Sequence, residues 1–205
     1  MPALQERLFL EPAGSGEVRL EAVLHLPESE ASSGVAVCHP HPQYGGDMDN
    51  YVVTALCEQL TTAGLAALRF NFRGTGASGG SYDAGAGEVH DLEAALRWLR
   101  EREGTSNVAA CGYSFGALIA NRASGVAAIA CVSPANPLVE TGVPLFVVIG
   151  DQDQFMGAET LRASAEEQSN LTLEVFQGVD HFWGRGLNEA SAKVASFLRQ
   201  HLEPA

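Results

Sequence analysis

Short apolar runs alternate with helical stretches along most of this chain, and this alternation constrains the fold more than any other feature. The runs that predict strands are residues 35–38, 66–70, 108–111, 126–132, 145–149 and 171–176. We predict that these strands are buried on both faces, as in a parallel sheet covered by helices. Strands separated by helices form βαβ units, and the pattern therefore predicts a parallel sheet with helices on both faces.

The helical stretches are marked by apolar residues that recur every three or four positions. Such stripes run through residues 52–60, 89–99 and 187–198. Before them, two alternating segments flank Gly14-Ser15-Gly16, at residues 7–10 and 18–26, and predict an antiparallel hairpin. No repeat or linker interrupts the 205 residues, so we predict one α/β domain over residues 1–205.

The charge balance argues against several classes of partner. The chain has 25 acidic and 12 basic side chains, a net charge of −13. Nucleic acids and anionic membranes are bound by clustered Lys and Arg, so we expect neither as a partner. A free anionic substrate would also meet an unfavourable long-range field.

The amino terminus and the cysteines bear on the compartment. Glu6, Arg7 and Glu11 interrupt the first dozen residues, and the longest apolar run, residues 126–132, is far shorter than the ~20 residues of a membrane helix. The four cysteines are widely spaced and form no C-x-x-C pair, which disfavours a disulfide scaffold or a structural zinc site. We expect no signal peptide and a cytoplasmic location.

Two pentads match G-x-S-x-G, the pattern in which a nucleophilic serine sits on a tight turn between a strand and a helix. They centre on Ser78 and Ser114. A short apolar strand ends just before Ser114, and a run compatible with a helix follows it to residue 123, whereas two further glycines follow Ser78. An ordinary helix N-cap serine does not need a glycine two residues away on both sides. We therefore predict that Ser114 is the nucleophile.

A serine hydroxyl needs an imidazole to accept its proton, and a carboxylate to orient that imidazole. In hydrolases with this turn the partners lie downstream, acid first and histidine second. Two histidines follow Ser114. His201 lies at the end of the last helix, whereas His181 lies in a loop after a strand, where open α/β sheets build their sites. We predict His181 as the base.

The orienting acid is expected at the carboxyl end of the strand at residues 145–149. Asp151 and Asp153 both follow that strand, and their spacing alone does not choose between them. Asp180 is a third carboxylate, but residues adjacent in the chain rarely orient each other's side chains, so we interpret it as a polar loop residue.

A tetrahedral intermediate needs two backbone N–H groups directed at its oxygen. The first is predicted from Phe115, which follows the nucleophile. The second is expected from the loop at residues 39–46, where the two prolines have no N–H. His41 is the first choice there and Tyr44 the second.

The same loop permits a second interpretation, because His39, His41, Asp47 and Asp49 are all possible metal ligands. However, the prolines break the regular alternation, and no third histidine follows at a useful spacing. We therefore predict neither a metal nor a cofactor. Aromatic residues near the predicted site are candidates for lining a substrate pocket: Tyr44, Tyr113, Phe155, Phe182 and Trp183.

Several motifs together resemble the α/β-hydrolase superfamily, and in particular a compact branch of bacterial serine hydrolases without a lid. They are His39-Pro40-His41-Pro42, Gly45-Gly46, Met48-Asp49-Asn50, Arg69-Phe70-Asn71-Phe72-Arg73-Gly74 with Gly76 and Ser78, Gly112-Tyr113-Ser114-Phe115-Gly116, residues 150–153 and Asp180-His181-Phe182. The resemblance implies the α/β-hydrolase fold, with a mostly parallel central sheet, an N-terminal antiparallel hairpin and no cap domain. In such proteins the acid is the third residue after the strand-end glycine, which implies Asp153.

The segment that carries the lid in larger relatives is short here. Residues 133–142 are too few for a helical cap, so we expect an open site. Together with the predicted nucleophile, base and acid, this favours a serine hydrolase that cleaves small or exposed carboxylic esters through an acyl-enzyme on Ser114. Thioesters, lactones or small peptide amides are alternatives that use the same residues. A catalytically silent interaction module is the alternative from another class. We expect the partner to be a small-molecule ester substrate. We expect the protein to be a monomer or a homodimer.

Overall fold

Eight strands form one sheet in the computed structural model, which describes residues 4–12, 18–102, 104–105 and 107–203. The strands are β1 (Leu4–Leu10), β2 (Leu20–Leu26), β3 (Ser33–Cys38), β4 (Ala66–Phe70), β5 (Asn107–Tyr113), β6 (Ile129–Val132), β7 (Leu145–Gly150) and β8 (Leu171–Phe176). Their order in the sheet is β1-β2-β4-β3-β5-β6-β7-β8. The pairs β1–β2 and β2–β4 are antiparallel, and all other neighbours are parallel. The predicted, mostly parallel sheet is confirmed.

The predicted N-terminal hairpin is also confirmed. β1 pairs with β2 in an antiparallel register that sets Leu10 opposite Leu20 and Leu4 opposite Leu26. The turn predicted at Gly14-Ser15-Gly16 lies outside the described residues.

Five helices connect or follow the strands in the part of the chain that the structure describes. They are α1 (Tyr51–Thr62), α2 (Ala86–Glu101), α3 (Phe115–Ala120), α4 (Ala158–Glu167) and α5 (Leu187–Leu202), and a single 3₁₀ turn spans Pro42–Tyr44. α3 is shorter than predicted, because the amides of Arg122 and Ala123 bond carbonyls three residues back and so close the helix early. α4 was not predicted, since Leu161 is its one buried residue and no apolar stripe marks it.

The two faces of the sheet bury separate apolar clusters, and each is covered by helices. Along β3, Val35 and Val37 point into the cluster that includes residues of α1 and α5. Ala36 and Cys38 point to the opposite face, where residues of α2, α3 and α4 pack. Alternate residues of a strand point to opposite faces, so β3 is buried on both sides, as its continuous apolar sequence predicts.

The segment where a lid would be inserted has no regular structure. β6 begins at Ile129, which pairs with Leu145 of β7, and not at residue 126 as predicted. Residues 133–144, all of them described, contain no helix or strand between β6 and β7. The predicted absence of a cap is therefore confirmed. Within the described part of the chain, no helix is long and apolar enough to cross a lipid bilayer.

The carboxyl ends of the parallel strands lie along one edge of the sheet. Ser114 follows β5 directly, Ser133 follows β6, Asp153 follows β7 after two residues, and His181 lies in the loop after β8. Open α/β sheets bind their ligands at this edge.

Candidate active site

Ser114 occupies a strained turn between β5 and α3. Its φ is 57° and its ψ is −117°, a conformation that costs a non-glycine residue on the order of 1–3 kcal/mol. The turn is held because the Ser114 amide donates to the Val132 carbonyl at 3.0 Å. The turn places Ser114 at the carboxyl end of β5, where it is half-buried.

The glycines on either side of Ser114 are required by close contacts. A Cβ on Gly112 would lie 2.1 Å from the carbonyl oxygen of Gly116, and a Cβ on Gly116 would lie 2.3 Å from the carbonyl oxygen of Cys38. Real Cβ atoms essentially never approach so closely. The pentad therefore matches G-x-S-x-G because strand, helix and the loop after β3 meet here without space for side chains.

His181 links Ser114 to Asp153. Its Nε2 lies 3.0 Å from Ser114 Oγ, and its Nδ1 lies 2.9 Å and 3.1 Å from the two carboxylate oxygens of Asp153. Since an ionised carboxylate can only accept, Nδ1 carries the proton in the neutral ring and Nε2 offers a lone pair to the serine hydroxyl. His181 and Asp153 are buried, and Ser114 is half-buried.

Asp153 is kept ionised although it is buried. Burial by itself raises the pKa of this carboxyl, but hydrogen bonds from His181, the Phe155 amide and Ser133 outweigh it, and the net pKa lies below its usual value. The amides of Phe155 and Met156 both donate to Asp153 Oδ1, at 3.0 Å and 3.3 Å. These bonds fix the direction in which the carboxylate faces the imidazole.

The Ser133 hydroxyl forms a hydrogen bond with Asp153 and is itself held by Trp183. The indole N–H of Trp183 donates to Ser133 Oγ at 3.0 Å, and both side chains are buried. Because Oγ already accepts a bond, the hydroxyl proton is free to face Asp153. A chain of polar contacts therefore runs from Trp183 through Ser133, Asp153 and His181 to Ser114.

Two tyrosines hold the backbone of the histidine loop. The Tyr113 hydroxyl donates to the His181 carbonyl at 2.9 Å, and the Tyr51 hydroxyl donates to the carbonyl of the next residue, Phe182. Tyr113 comes from the end of β5 and Tyr51 from the start of α1. Two successive carbonyls are thus fixed from two different elements, which limits the movement of the His181 ring relative to Ser114.

The predicted oxyanion donors come from the start of α3 and from the loop after β3. Phe115 is the first residue of α3, a position at which the backbone N–H has no acceptor within the helix. The ring of His41 packs 4.8 Å from the Phe115 ring, so the structure brings the predicted loop to this place. The Tyr44 amide already donates to the His41 carbonyl at 3.1 Å, which leaves His41 as the better of the two choices.

The five aromatic pocket candidates divide into two groups. Tyr44, Phe155 and Phe182 are exposed, to 87%, 57% and 52% respectively. Tyr113 and Trp183 are buried, the first beneath His181 and the second among the core residues of the α1 and α5 face. These two side chains therefore support the site from within and present no surface to a substrate.

The other residues weighed from the sequence have separate contacts. Ser78 accepts from the Glu21 amide at 2.9 Å and donates to the Asn71 carbonyl at 2.8 Å, which ties its loop to β2 and β4. Asp151 is exposed and accepts from the Gly178 amide. Asp180 is exposed and accepts from the Phe182 amide.

The residues of the metal interpretation are also engaged elsewhere. Nδ1 of His39 donates to the Pro40 carbonyl at 2.6 Å, and its Nε2 accepts from the Phe72 amide at 3.0 Å. Burial lowers the pKa of His39 to about 4, so the ring is neutral near pH 7. Asp49 forms an ion pair with Arg69. Among the described residues, no group of three or more His, Cys, Asp or Glu side chains has the arrangement of a metal site.

Sequence reasoning missed three residues that surround the site. They are Tyr51, Tyr82 and Ser133. Ser133 directly follows β6. Its place at the carboxyl end of a strand is the same signal that predicted the acid, but only carboxylates were considered there. Tyr82 lies in a Gly- and Ser-rich loop, and Tyr51 begins α1. Their sequence positions carry no corresponding signal.

Comparisons of sequence and structure identify known proteins that this chain resembles. The sequence pattern of the X-Pro dipeptidyl-peptidase (S15) family matches residues 15–143. An uncharacterised protein of Rickettsia prowazekii is 34% identical over an alignment of 203 positions, and the match covers 89% of this chain and 85% of that protein.

Two solved structures resemble the whole chain. An alpha-beta serine hydrolase homologue from Coxiella burnetii is 33% identical, with a TM-score of 0.82 over 97% of each chain. XC6422 from Xanthomonas campestris, a serine hydrolase without a lid, is 28% identical, with a TM-score of 0.86 over 100% of this chain and 98% of that one. The chain therefore belongs to the X-Pro dipeptidyl-peptidase (S15) family and is a serine hydrolase with the α/β-hydrolase fold and no separate cap.

Proposed function

We propose that this protein hydrolyses small or exposed carboxylic esters through an acyl-enzyme on Ser114. The single observation that carries the proposal is the continuous path of contacts from Asp153 through His181 to Ser114 Oγ, at 2.9 Å and 3.0 Å. A serine with an ordinary structural role needs neither an imidazole at this distance nor a carboxylate behind it.

In the first half of the proposed reaction, Ser114 Oγ attacks the carbonyl carbon of the ester while His181 Nε2 takes the hydroxyl proton. Asp153 stabilises the imidazolium that forms, because its low pKa keeps it ionised. The negative charge moves to the former carbonyl oxygen, which the amides of Phe115 and His41 bind. When the intermediate collapses, the bond to the alcohol oxygen breaks and Nε2 returns the proton to the leaving alcohol.

In the second half, water replaces the alcohol. His181 Nε2 takes one proton from the water as its oxygen attacks the acyl carbon, and a second oxyanion forms in the same place. Collapse breaks the bond to Ser114 Oγ, which recovers the proton from Nε2. One ester and one water thus give one carboxylic acid and one alcohol, and the enzyme is restored.

The open surface favours short or exposed substrates. Residues 133–144 form no lid over Ser114, and three aromatic side chains beside the site are more than half exposed. An acyl chain of a long lipid would remain in water along most of its length, so binding would gain little from the hydrophobic effect.

Hydrolysis of p-nitrophenyl acetate and p-nitrophenyl butyrate tests the proposal. Wild-type protein should release p-nitrophenolate from both esters, and Ser114→Ala should reduce kcat/KM by at least about a thousandfold, because the attacking atom is removed. Ser78→Ala is the matched control, since Ser78 stands in the other G-x-S-x-G pentad and bonds to Asn71 and Glu21. Full turnover by folded Ser114→Ala would refute the proposal.

Cleavage of a small peptide amide is the second candidate, and the match to the X-Pro dipeptidyl-peptidase family over residues 15–143 favours it. The same serine and histidine can attack either bond, but an amine leaves less readily than an alcohol and depends more on proton donation by His181. A panel with one acyl group and different leaving groups separates the candidates. If Ala-Pro p-nitroanilide is cleaved with a higher kcat/KM than matched esters, the peptidase function is favoured.

A further inference from the structure

We infer that the substrate carries flat aromatic groups without negative charge on both sides of the scissile bond. The acyl group lies on a wall of Tyr44, His41 and Tyr82, and the alcohol lies on a wall of Phe155 and Phe182. This inference rests on the proposed ester hydrolysis and adds its substrate class. We call the first set the acyl wall and the second the alcohol wall.

The exposed aromatic side chains of the described residues concentrate around Ser114 and His181. Five aromatic side chains are exposed: Phe9, Tyr44, Tyr51, Phe155 and Phe182. All except Phe9 contact the site or its immediate neighbours, as the ring contacts with His41 and His181 and the bond from Tyr51 to Phe182 establish. A cluster of exposed apolar side chains indicates a binding site, whereas single exposed apolar residues do not.

The acyl wall is built against the predicted oxyanion donors. The His41 ring lies 4.8 Å from the Tyr44 ring, 5.0 Å from the Tyr82 ring and 4.8 Å from the Phe115 ring. His41 Nδ1 accepts from the Gln43 amide at 3.2 Å, so the neutral ring carries its proton on Nε2, which faces the Tyr82 hydroxyl at 3.1 Å. The rings are thus held in place before a substrate arrives, which lowers the entropic cost of binding.

The alcohol wall is built against the base. Phe155 lies 4.4 Å from the His181 ring, and Phe182 lies 5.6 Å from it at an interplanar angle of 87°. The leaving oxygen must reach His181 Nε2 to take its proton, so the alcohol part of the ester lies on this side of Ser114. The acyl part then extends away from His181, toward the opposite wall.

The charge around the site disfavours substrate groups that carry a negative charge. The chain carries a net charge of −13, which disfavours an anionic acyl group. Burial lowers the pKa of His41, so its ring is neutral near pH 7 and offers no cation to a carboxylate. Aromatic rings pack on such rings with a preference over saturated groups of similar size.

Matched pairs of esters test each wall separately. p-Nitrophenyl phenylacetate and p-nitrophenyl cyclohexylacetate differ in the acyl ring alone, and benzyl acetate and cyclohexylmethyl acetate differ in the alcohol ring alone. For each pair, kcat/KM is divided by the rate of hydroxide-catalysed hydrolysis, which removes the difference in intrinsic reactivity. We expect the aromatic member to be preferred by about two- to tenfold in both pairs.

Variants assign each preference to its wall. Tyr44→Leu should lower the acyl ratio and leave the alcohol ratio unchanged, whereas Phe155→Leu should lower the alcohol ratio and leave the acyl ratio unchanged. Phe9→Leu removes an exposed ring on β1 and should change neither ratio. Ratios near one in the wild type, or variants that do not separate the two ratios, overturn this inference while ester hydrolysis stands. If the folded protein turns over no ester, the proposed function fails and this inference fails with it.

Discussion

Nε2 of His181 lies 3.0 Å from Oγ of Ser114, although 67 positions separate the two residues in the chain. The distance results from the parallel sheet, which brings the carboxyl ends of β5 and β8 to the same edge. It also depends on the Tyr113 hydroxyl, which holds the His181 carbonyl from the residue next to Ser114. The strand that presents the nucleophile therefore also fixes the position of the base.

Asp153→Asn should reduce kcat by a factor on the order of ten thousand, the loss seen when an orienting carboxylate is replaced by an amide that favours the wrong histidine tautomer. The protein should remain folded, because Asn retains the size of Asp and an acceptor for the Phe155 amide. The measurement is steady-state kinetics on p-nitrophenyl butyrate.

The matched control for this prediction is Asp151→Asn, because Asp151 is exposed and bonds to the Gly178 amide, away from His181. It should retain kcat within about threefold of wild type, as surface substitutions usually have small effects. A large loss at Asp151 with none at Asp153 would show that the acid has been assigned to the wrong residue.

Ser133→Ala should lower both stability and activity. It leaves the buried Trp183 N–H without an acceptor, which costs about 1–3 kcal/mol of unfolding free energy, and it removes a hydrogen bond from Asp153. Trp183→Phe removes the indole N–H and keeps the Ser133 hydroxyl, so it should destabilise the protein with a smaller effect on kcat. Denaturant unfolding and ester kinetics on both variants test this. Equal losses of kcat in the two variants would contradict a role for the Ser133 hydroxyl in positioning Asp153.

Gly116, two residues after Ser114, should not tolerate any side chain. Gly116→Ala places a Cβ 2.3 Å from the Cys38 carbonyl oxygen, and we expect a loss of at least about 2 kcal/mol in unfolding free energy as backbone must shift. Gly142→Ala is the control, since no atom lies within 4 Å of its added Cβ. Thermal unfolding of both variants is the measurement. Similar melting temperatures would contradict the close approach of α3 to β3.

The core of the fold and the reacting residues could be predicted from the sequence because their signals are local. Residues 66–70 form a strand buried on both faces, as predicted, and glycines mark the turn at Ser114. Residues 171–176 also form a strand, but the prediction that it is buried on both faces was wrong, because β8 lies at the edge of the sheet and only Leu171 is buried. α4 carried no signal, since its helix buries one residue and leaves the others at the surface. In such a segment the burial pattern contains no period from which a helix can be inferred.

The direction of side chains in loops also could not be predicted from the sequence. Phe182 and Trp183 are adjacent, yet the first is exposed and the second is buried. Trp183 has a φ of 53°, which turns the chain so that the indole enters the core and reaches Ser133. A loop has no regular alternation, so neither neighbour indicates where the other points.

Stability should fall in acid in part because of His39. Its pKa is about 4 in the folded protein, against about 6.5 in an unfolded chain, so the unfolded state binds more protons between these values. The contribution of His39 is therefore complete above pH 6.5 and decreases as the pH falls. Between pH 7 and pH 5 we expect wild type to lose about 2 kcal/mol more unfolding free energy than His39→Gln, which does not titrate.

Urea unfolding at several pH values measures this difference. His25, whose pKa is also lowered to about 4, contributes equally to both proteins and cancels. Parallel curves for wild type and His39→Gln over this range would show that His39 does not remain neutral in the folded state.

The most direct test of the central claim is to treat the folded protein with a fluorophosphonate and locate the adduct by peptide mass spectrometry. We predict one adduct, on Ser114, that is lost in Ser114→Ala and retained in Ser78→Ala. An adduct on Ser78 or on another residue, or no adduct on protein shown to be folded, would contradict the assignment of Ser114 as the activated nucleophile.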